Sequence, residues 1–130
     1  AGTGKTYVAV SYALQELFAD QYKRIVLTRP LVEVGEKVGH LPGELLQKVH
    51  PFMMPLYDVL SERLPHESLN KLTNKNGNGA TIRVIPLAYM RGCSLKNTIV
   101  VADGAQNCSS EQMRMLLTRI GENSKMIFCG

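Results

Sequence analysis

The stretch Ala1-Gly2-Thr3-Gly4-Lys5-Thr6 stands directly before a segment whose apolar residues recur at helical spacing. It matches the end of a phosphate-binding loop, whose pattern is a glycine, four further residues, and then Gly-Lys-Ser or Gly-Lys-Thr. When Gly4, Lys5 and Thr6 are aligned with the end of that pattern, its leading glycine falls two residues before Ala1. We therefore expect that glycine, and the first strand of the fold, to precede this chain.

Each residue type in this stretch suits contact with phosphate. Gly2 and Gly4, with Thr3 between them, allow a curled backbone whose N–H groups point at phosphate oxygens, and the following helix N-terminus adds a favourable dipole. Lys5 is expected to neutralise the β- and γ-phosphates, and the Thr6 hydroxyl to ligate Mg²⁺. The alternative is a chance glycine-rich helix start with a surface lysine.

A second feature lies ninety-odd residues further on, in the run Thr98-Ile99-Val100-Val101-Ala102-Asp103. An enzyme with a phosphate-binding loop needs an acidic residue at the end of a neighbouring buried strand, where it holds Mg²⁺ or its waters. Alone, such a run is also typical of an ordinary strand whose aspartate begins a turn. In this order within one chain, the two features predict an ATP·Mg²⁺ site in which Lys5 and Asp103 are catalytic.

The remaining chain predicts an α/β domain. Short apolar runs predict buried strands at 25–28, 80–86, 97–103 and 125–129. Helical spacing predicts helices at 7–19 and, opened by a capping box at Ser109 and Gln112, at 111–120. Buried strands that alternate with helices predict a three-layer domain with a mostly parallel sheet.

Three other segments carry turn or helix-breaking residues. The helical periodicity of 44–64 is interrupted by Pro51 and Pro55, which predicts two or three helical pieces. A loop is predicted for 31–43 and a turn for 74–79. We expect residues 1–130 to form a single domain that is truncated at both ends.

Composition narrows the class of protein. An apolar fraction of 45% and 20% charged residues are typical of a folded globular domain. No apolar stretch approaches the roughly 20 residues of a membrane-spanning helix, and the start does not resemble a signal peptide, so we expect a cytoplasmic protein without a membrane partner. The three cysteines lack metal-ligand spacing and are expected to be free thiols. The net charge of +4 permits a nucleic-acid partner without requiring one.

The chain resembles the PhoH-like family, P-loop ATP-binding proteins related to the N-terminal motor domain of superfamily 1 helicases. The resemblance covers essentially all 130 residues. It is carried by AGTGKT at 1–6, RIVLTRP at 24–30, VGEKVGHLPG at 34–43, KVHPFMMPLYD at 48–58, PLAYMRG at 86–92, AQN at 105–107 and EQMRMLLTRIG at 111–121. It implies a RecA-like P-loop NTPase fold, ATP and Mg²⁺ as ligands, and RNA as a partner of intact relatives. It leaves the oligomeric state open.

The chain departs from the family pattern at several positions. The family usually has Asp-Glu-Ala-Gln-Asn after its buried strand, whereas this chain has Gly104 in place of the glutamate that positions the attacking water. Cys93 stands where the family typically has arginine, Cys108 replaces a hydroxyl residue, and the chain stops at Gly130, where a Gly-Asp motif would continue.

These departures leave the function class open. The chain is expected to be an ATPase or, alternatively, a nucleotide-dependent binding module that senses ATP without hydrolysing it. Gly104 favours the second hypothesis. A small-molecule phosphoryl transferase is a third class, which the family blocks disfavour.

Four further residues are candidates for contact with RNA or nucleotide, and each could instead have an ordinary structural role. Arg29 follows a strand end, and Tyr89 with Arg91 pairs an aromatic ring with a cation, so these three are predicted to contact single-stranded RNA. Arg29 could equally be solvated or pair with Glu33 or Glu36. Gln106 is expected to contribute to the nucleotide site and to link it to neighbouring loops, or else to satisfy backbone groups.

Overall fold

The computed structural model of the protein describes residues 2–31, 45–73, 80–91, 93 and 95–130. Its elements follow in the order α1 (Gly2–Phe18), β1 (Arg24–Arg29), α2 (Leu45–Arg63), α3 (His66–Thr73), β2 (Ile82–Pro86), β3 (Thr98–Asp103), α4 (Ser110–Arg119) and β4 (Lys125–Cys129). Short 3-10 helices at Leu87–Met90 and Ala105–Asn107 follow β2 and β3. Apart from Leu31, the predicted loop at 31–43 and turn at 74–79 lie outside the described residues.

The four strands form one sheet in the order β2-β1-β3-β4, and every neighbouring pair is parallel. All four strand predictions are confirmed: β4 has the predicted ends, and the ends of the other three strands shift by at most two residues. The register places Thr28 beside Ala102, and Asp103 beside Cys129. Consequently the carboxyl ends of β1, β3 and β4 meet at one edge of the sheet, which is where open α/β sheets bind ligands.

The sheet is the middle of three layers because its side chains alternate between two faces. On one face, Ile25 and Leu27 of β1 pack in a core with α1 and α2. On the other face, Val26 packs with Leu116 of α4 and with the 3-10 helix after β2. Burial of each such aliphatic side chain stabilises the fold by about 1.5–3 kcal/mol. The predicted three-layer α/β arrangement is therefore confirmed.

Helix α2 corrects the prediction of two or three helical pieces, since it runs unbroken from Leu45 to Arg63 with Pro51 and Pro55 inside it. A proline in a helix removes one backbone hydrogen bond and crowds the carbonyl four residues earlier. Both prolines are exposed and lie four residues apart, so they share one solvent-facing side of the helix. The opposite side buries Leu56 and Leu60 completely, and this burial offsets the loss.

The remaining helices differ from prediction mainly at their ends. Helix α4 begins behind the predicted capping box, in which the Ser109 hydroxyl accepts from the Gln112 backbone N–H and the Gln112 side chain accepts from the Ser109 N–H. Helix α3 was not predicted by any sequence pattern. In the described part of the chain, no helix combines the length and apolarity needed to cross a membrane. The three cysteines are free thiols, as predicted.

Candidate functional site

The candidate site is a cleft at the carboxyl edge of the sheet, where α1 begins and α2 passes over the strand ends. Its volume is about 280 Å³. Polar or glycine positions line one wall and apolar residues of α2 the other. The lining residues are Thr6, Arg29, Pro55, Leu56, Val59, Asp103, Gly104, Gln106, Asn107 and Gly130. The cleft therefore brings together Thr6 and Asp103, which the two sequence motifs predict to act jointly.

A short hydrogen bond joins those two motifs. The Thr6 hydroxyl donates to Asp103 Oδ1 at 2.6 Å, across 97 residues of sequence. Thr6 is 3% exposed and the Asp103 side chain is 15% exposed, so the pair is largely shielded from water. A hydroxyl oxygen can ligate a metal ion while its proton is donated to a carboxylate. The structure thus places a hydroxyl and a carboxylate side by side where the sequence predicts Mg²⁺, and the metal itself stays a prediction.

The residues before Thr6 form the beginning of α1 and not a separate curled loop. The expectation that the helix begins at residue 7 is wrong, because α1 starts at Gly2. Glycine permits helical as well as curled backbone, so Gly2 and Gly4 do not prevent this. The N–H groups in the first turn of a helix have no acceptor within it, so the N–H groups from Gly2 to Gly4 remain available to an anion.

Lys5 is not among the residues that line this cleft and lies beside it, in the wall of a larger cleft between α1 and β4. Its side chain is exposed, and Nζ lies 3.4 Å from the carbonyl oxygen of Gly130, directly after β4. This long contact through a flexible side chain leaves the ammonium group free to turn towards a phosphate. The position agrees with the predicted role of Lys5 as a phosphate-neutralising cation, which stays a prediction.

Arg29 is held inside the cleft by two contacts. Its Nε lies 3.9 Å from Asp103 Oδ2, and its Nη1 donates to the backbone carbonyl of Phe52 in α2 at 3.1 Å. The alternative partners, Glu33 and Glu36, lie outside the described residues. The sequence pattern does not reveal the pairing with Asp103, because it depends on β1 and β3 being neighbours in the sheet.

Gly104 occupies the position after Asp103 with φ of 72° and ψ of 29°, in the left-handed region. A side chain disfavours this backbone conformation, whereas glycine adopts it freely. A Cβ built here would have room, with Pro30 Cδ at 3.7 Å and Asn107 Nδ2 at 3.9 Å. The next carboxylate along the chain, Glu111, is exposed in the first turn of α4 and is not among the cleft residues.

Two further residues border the polar end of the cleft. Gln106 is exposed and lies against Gly130, whose added Cβ would stand 3.5 Å from Gln106 Oε1. The Cys129 thiol lies 3.9 Å from the Lys5 carbonyl oxygen. Burial, and then the negative charge of Asp103, raise the pKa of the Cys129 thiol, although Thr6 and Lys5 oppose this. Cys129 is therefore a neutral packing residue beside the site, which the sequence pattern does not single out.

Tyr89 and Arg91 follow β2, the neighbour of β1, so they share the edge of the sheet with Arg29. Arg91 is exposed, whereas the Tyr89 hydroxyl is buried without a hydrogen-bond partner among the described residues. Neither residue lines the cleft of Thr6 and Asp103. Their predicted contact with RNA stays a prediction.

A larger cleft of about 790 Å³ lies between α1 and β4, and its lining is mostly apolar. Residues such as Val8 and Phe128, which are 67% and 39% exposed, form its wall together with Lys5. None of the residues lining it is acidic. The smaller cleft, with its hydroxyl, carboxylate and guanidinium groups, is the better candidate for chemistry.

The donor set suits a metal that arrives with a ligand. Among the residues that the structure describes, no group of three or more His, Cys, Asp or Glu side chains could hold a metal ion. Mg²⁺ typically takes one or two protein oxygens and completes its shell with substrate phosphates and water. Thr6 and Asp103 fit that requirement without further protein ligands.

The parallel sheet, the helix whose first turns carry Gly4-Lys5-Thr6, and the acidic strand end bonded to its threonine define a P-loop NTPase fold. Comparison with known protein families agrees, since the family model described as PhoH-like protein matches residues 1–130. The chain belongs to the PhoH-like protein family.

Individual relatives match the chain over its whole length. It is 50% identical to the PhoH-like protein of Synechocystis sp., 48% identical to that of Bacillus subtilis, and 39% identical to the protein PhoH of Escherichia coli. Each match covers 100% of this chain but only 38%, 40% and 36% of those relatives, respectively.

Proposed function

We propose that this chain binds ATP together with Mg²⁺ in the cleft between the start of α1 and the carboxyl ends of β1, β3 and β4. The observation that carries the proposal is the hydrogen bond of 2.6 Å from the Thr6 hydroxyl to Asp103. That bond joins the end of a phosphate-loop motif to the acidic residue that such a motif requires on a neighbouring strand.

Each residue of the cleft has a defined role in this proposal. The backbone N–H groups from Gly2 to Gly4, including that of Thr3, donate to phosphate oxygens, and the ammonium group of Lys5, which lies beside the cleft, neutralises their charge. The Thr6 hydroxyl ligates Mg²⁺, and Asp103 accepts hydrogen bonds from Thr6 and from the water of the metal. Gln106, at the rim next to Gly130, contacts the nucleotide or relays its presence to the adjoining 3-10 helix.

Hydrolysis by this chain is expected to be slow. Bound Mg²⁺ supplies electrostatic stabilisation of the phosphates, but hydrolysis also needs a side chain that positions water in line with the γ-phosphate. Gly104 has no side chain for that purpose, and Glu111 is outside the cleft. The second candidate function, a module that senses ATP without turning it over, is favoured by this one position.

RNA binding is the further part of the proposal. In intact relatives we infer that nucleotide hydrolysis is coupled to single-stranded RNA, with Arg29, Tyr89 and Arg91 on its path. Support comes from the exposure of Arg91 at the carboxyl edge of the sheet and from the net charge of +4.

Titration of the gene product that carries this chain with a fluorescent ATP analogue and Mg²⁺ tests the nucleotide proposal. Lys5→Ala should abolish most of the binding, because the phosphates lose their neutralising cation. Lys23→Ala, which removes an exposed lysine just before β1, is the matched control and should bind as the wild type does. Equal affinity in the wild type and Lys5→Ala would overturn the assignment.

A further inference from the structure

Two groups hold the two oxygens of the Asp103 carboxylate. Thr6 donates to Oδ1, while the Arg29 guanidinium lies 3.9 Å from Oδ2. Arg29 is fixed at its other end, since Nη1 donates to the carbonyl oxygen of Phe52 in α2. Its side chain is 30% exposed, so the ion pair stands at the inner wall of the cleft and is only partly open to water.

This arrangement has an electrostatic reason. A mostly buried carboxylate is costly unless a cation or hydrogen-bond donors compensate it. Arg29 supplies that cation, and a guanidinium group cannot lose its charge by deprotonation. A divalent ion that shares Thr6 and Asp103 would come close to the same guanidinium, and two cations at one carboxylate repel each other. Arg29 and a water bound to Mg²⁺ would therefore compete for Oδ2.

We propose that Arg29 is a positioning residue that compensates the charge of Asp103, and that Mg²⁺ with its bound water displaces Arg29 from Oδ2 when it binds. The proposal rests on the proposed ATP·Mg²⁺ function. The bond to Phe52 keeps the displaced guanidinium in the cleft and prevents its release to solvent. The contact with α2 is therefore the one that persists when the contact with Asp103 is broken.

The test compares the Mg²⁺ requirement of nucleotide binding in variants of the gene product that carries this chain. Affinity for a fluorescent ATP analogue is measured in EDTA and at graded concentrations of free Mg²⁺. In Arg29→Ala, the Mg²⁺ concentration for half-maximal enhancement of binding should fall about twofold to fivefold, the range that a partly solvent-exposed ion pair contributes. Arg29→Gln, which is neutral but closer in size, should show the same shift if the alanine variant does not fold.

Two control variants separate charge from structure. Arg29→Lys keeps the positive charge and should need as much Mg²⁺ as the wild type. Arg24→Ala removes an exposed arginine at the opposite end of β1 and should leave the requirement unchanged. Thermal unfolding of each variant shows whether it is folded. A merely structural role for Arg29 would weaken binding equally with and without Mg²⁺.

The outcomes distinguish this inference from the function on which it rests. A lower Mg²⁺ requirement in the neutral variants, but not in Arg29→Lys, supports displacement. An unchanged or higher requirement in Arg29→Ala, or a lysine variant that behaves like the alanine variant, overturns it. If the wild type binds no nucleotide at any Mg²⁺ concentration, the proposed function itself fails.

Discussion

Replacing Gly104 with glutamate would put a carboxylate next to Asp103, at the position where the resemblance to PhoH-like proteins implies one. General bases and water-positioning residues typically accelerate the chemical step by about 10²–10⁴-fold. We expect Gly104→Glu to raise the rate of ATP hydrolysis by a factor in that range while changing nucleotide affinity little, because Lys5, Thr6 and Asp103 are untouched.

The same substitution should also destabilise the fold, because of the backbone conformation at Gly104. Its φ of 72° is left-handed, and a residue with a side chain pays about 1–2 kcal/mol there. Space is not the obstacle, since the nearest atoms to a Cβ are 3.7 Å and 3.9 Å away, which is ordinary contact. Gly104→Glu should therefore fold with a free energy of unfolding lowered by about 1–2 kcal/mol.

Single-turnover phosphate release measures the rate, and Gly104→Gln is the matched control. Glutamine has the size and the backbone strain of glutamate but cannot accept a proton as a carboxylate does. The glutamate form should hydrolyse ATP much faster than both the glycine and the glutamine forms, while both variants lose similar stability. If the glycine form already hydrolyses ATP as fast as the glutamate form, another residue supplies the base, and the hypothesis of a module that senses ATP without hydrolysing it fails. A glutamine form as fast as the glutamate form would refute the role of the carboxylate.

Three other predictions follow from the same contacts. Thr6→Val removes the hydroxyl bonded to Asp103, so Mg²⁺ should no longer strengthen nucleotide binding. Denaturant unfolding should show that the free energy of unfolding falls by about 1–3 kcal/mol. Mg²⁺-dependent binding equal to that of the wild type would contradict this prediction. Replacing Arg29 and Arg91 together by alanine should flatten the salt dependence of single-stranded RNA binding by roughly 0.7 log–log units per lost phosphate contact, and an unchanged slope would leave the RNA path unsupported. Because burial raises the pKa of the Cys129 thiol, this thiol should stay protonated at neutral pH and react with alkylating reagents only as the pH rises beyond the ordinary thiol range. Mass spectrometry can follow the alkylation of Cys129 over time at each pH. Fast alkylation at neutral pH would contradict the prediction.

Strands β1 and β3 were predictable because they are buried on both faces. A run such as Ile25-Val26-Leu27 has no polar side to expose, and such runs occur in parallel sheets covered by helices. Helix α2 was only partly predictable. The sequence shows Pro51 and Pro55, which each destabilise a helix, but it does not show the burial of Leu56 and Leu60 that offsets this cost, because that burial depends on packing against the sheet. The early start of α1 was missed because glycine allows several backbone conformations.

In the candidate site, the sequence reveals those residues whose spacing is itself the signal. Lys5 and Thr6 stand at fixed places in a phosphate-loop motif, and Asp103 ends an apolar run. The pairing of Arg29 with Asp103 was not readable, because it depends on the order of β1 and β3 in the sheet. The left-handed backbone of Gly104 was likewise hidden, although the glycine itself marks the position.

The most direct test of the account is a crystal structure of the gene product that carries this chain, with Mg²⁺ and a non-hydrolysable ATP analogue. We predict phosphates at the start of α1 within reach of Lys5, and Mg²⁺ about 2.1 Å from Thr6 Oγ1 with Asp103 beyond it. An analogue bound elsewhere, for example in the apolar cleft beside Val8 and Phe128, or a metal ion away from Thr6, would contradict the account.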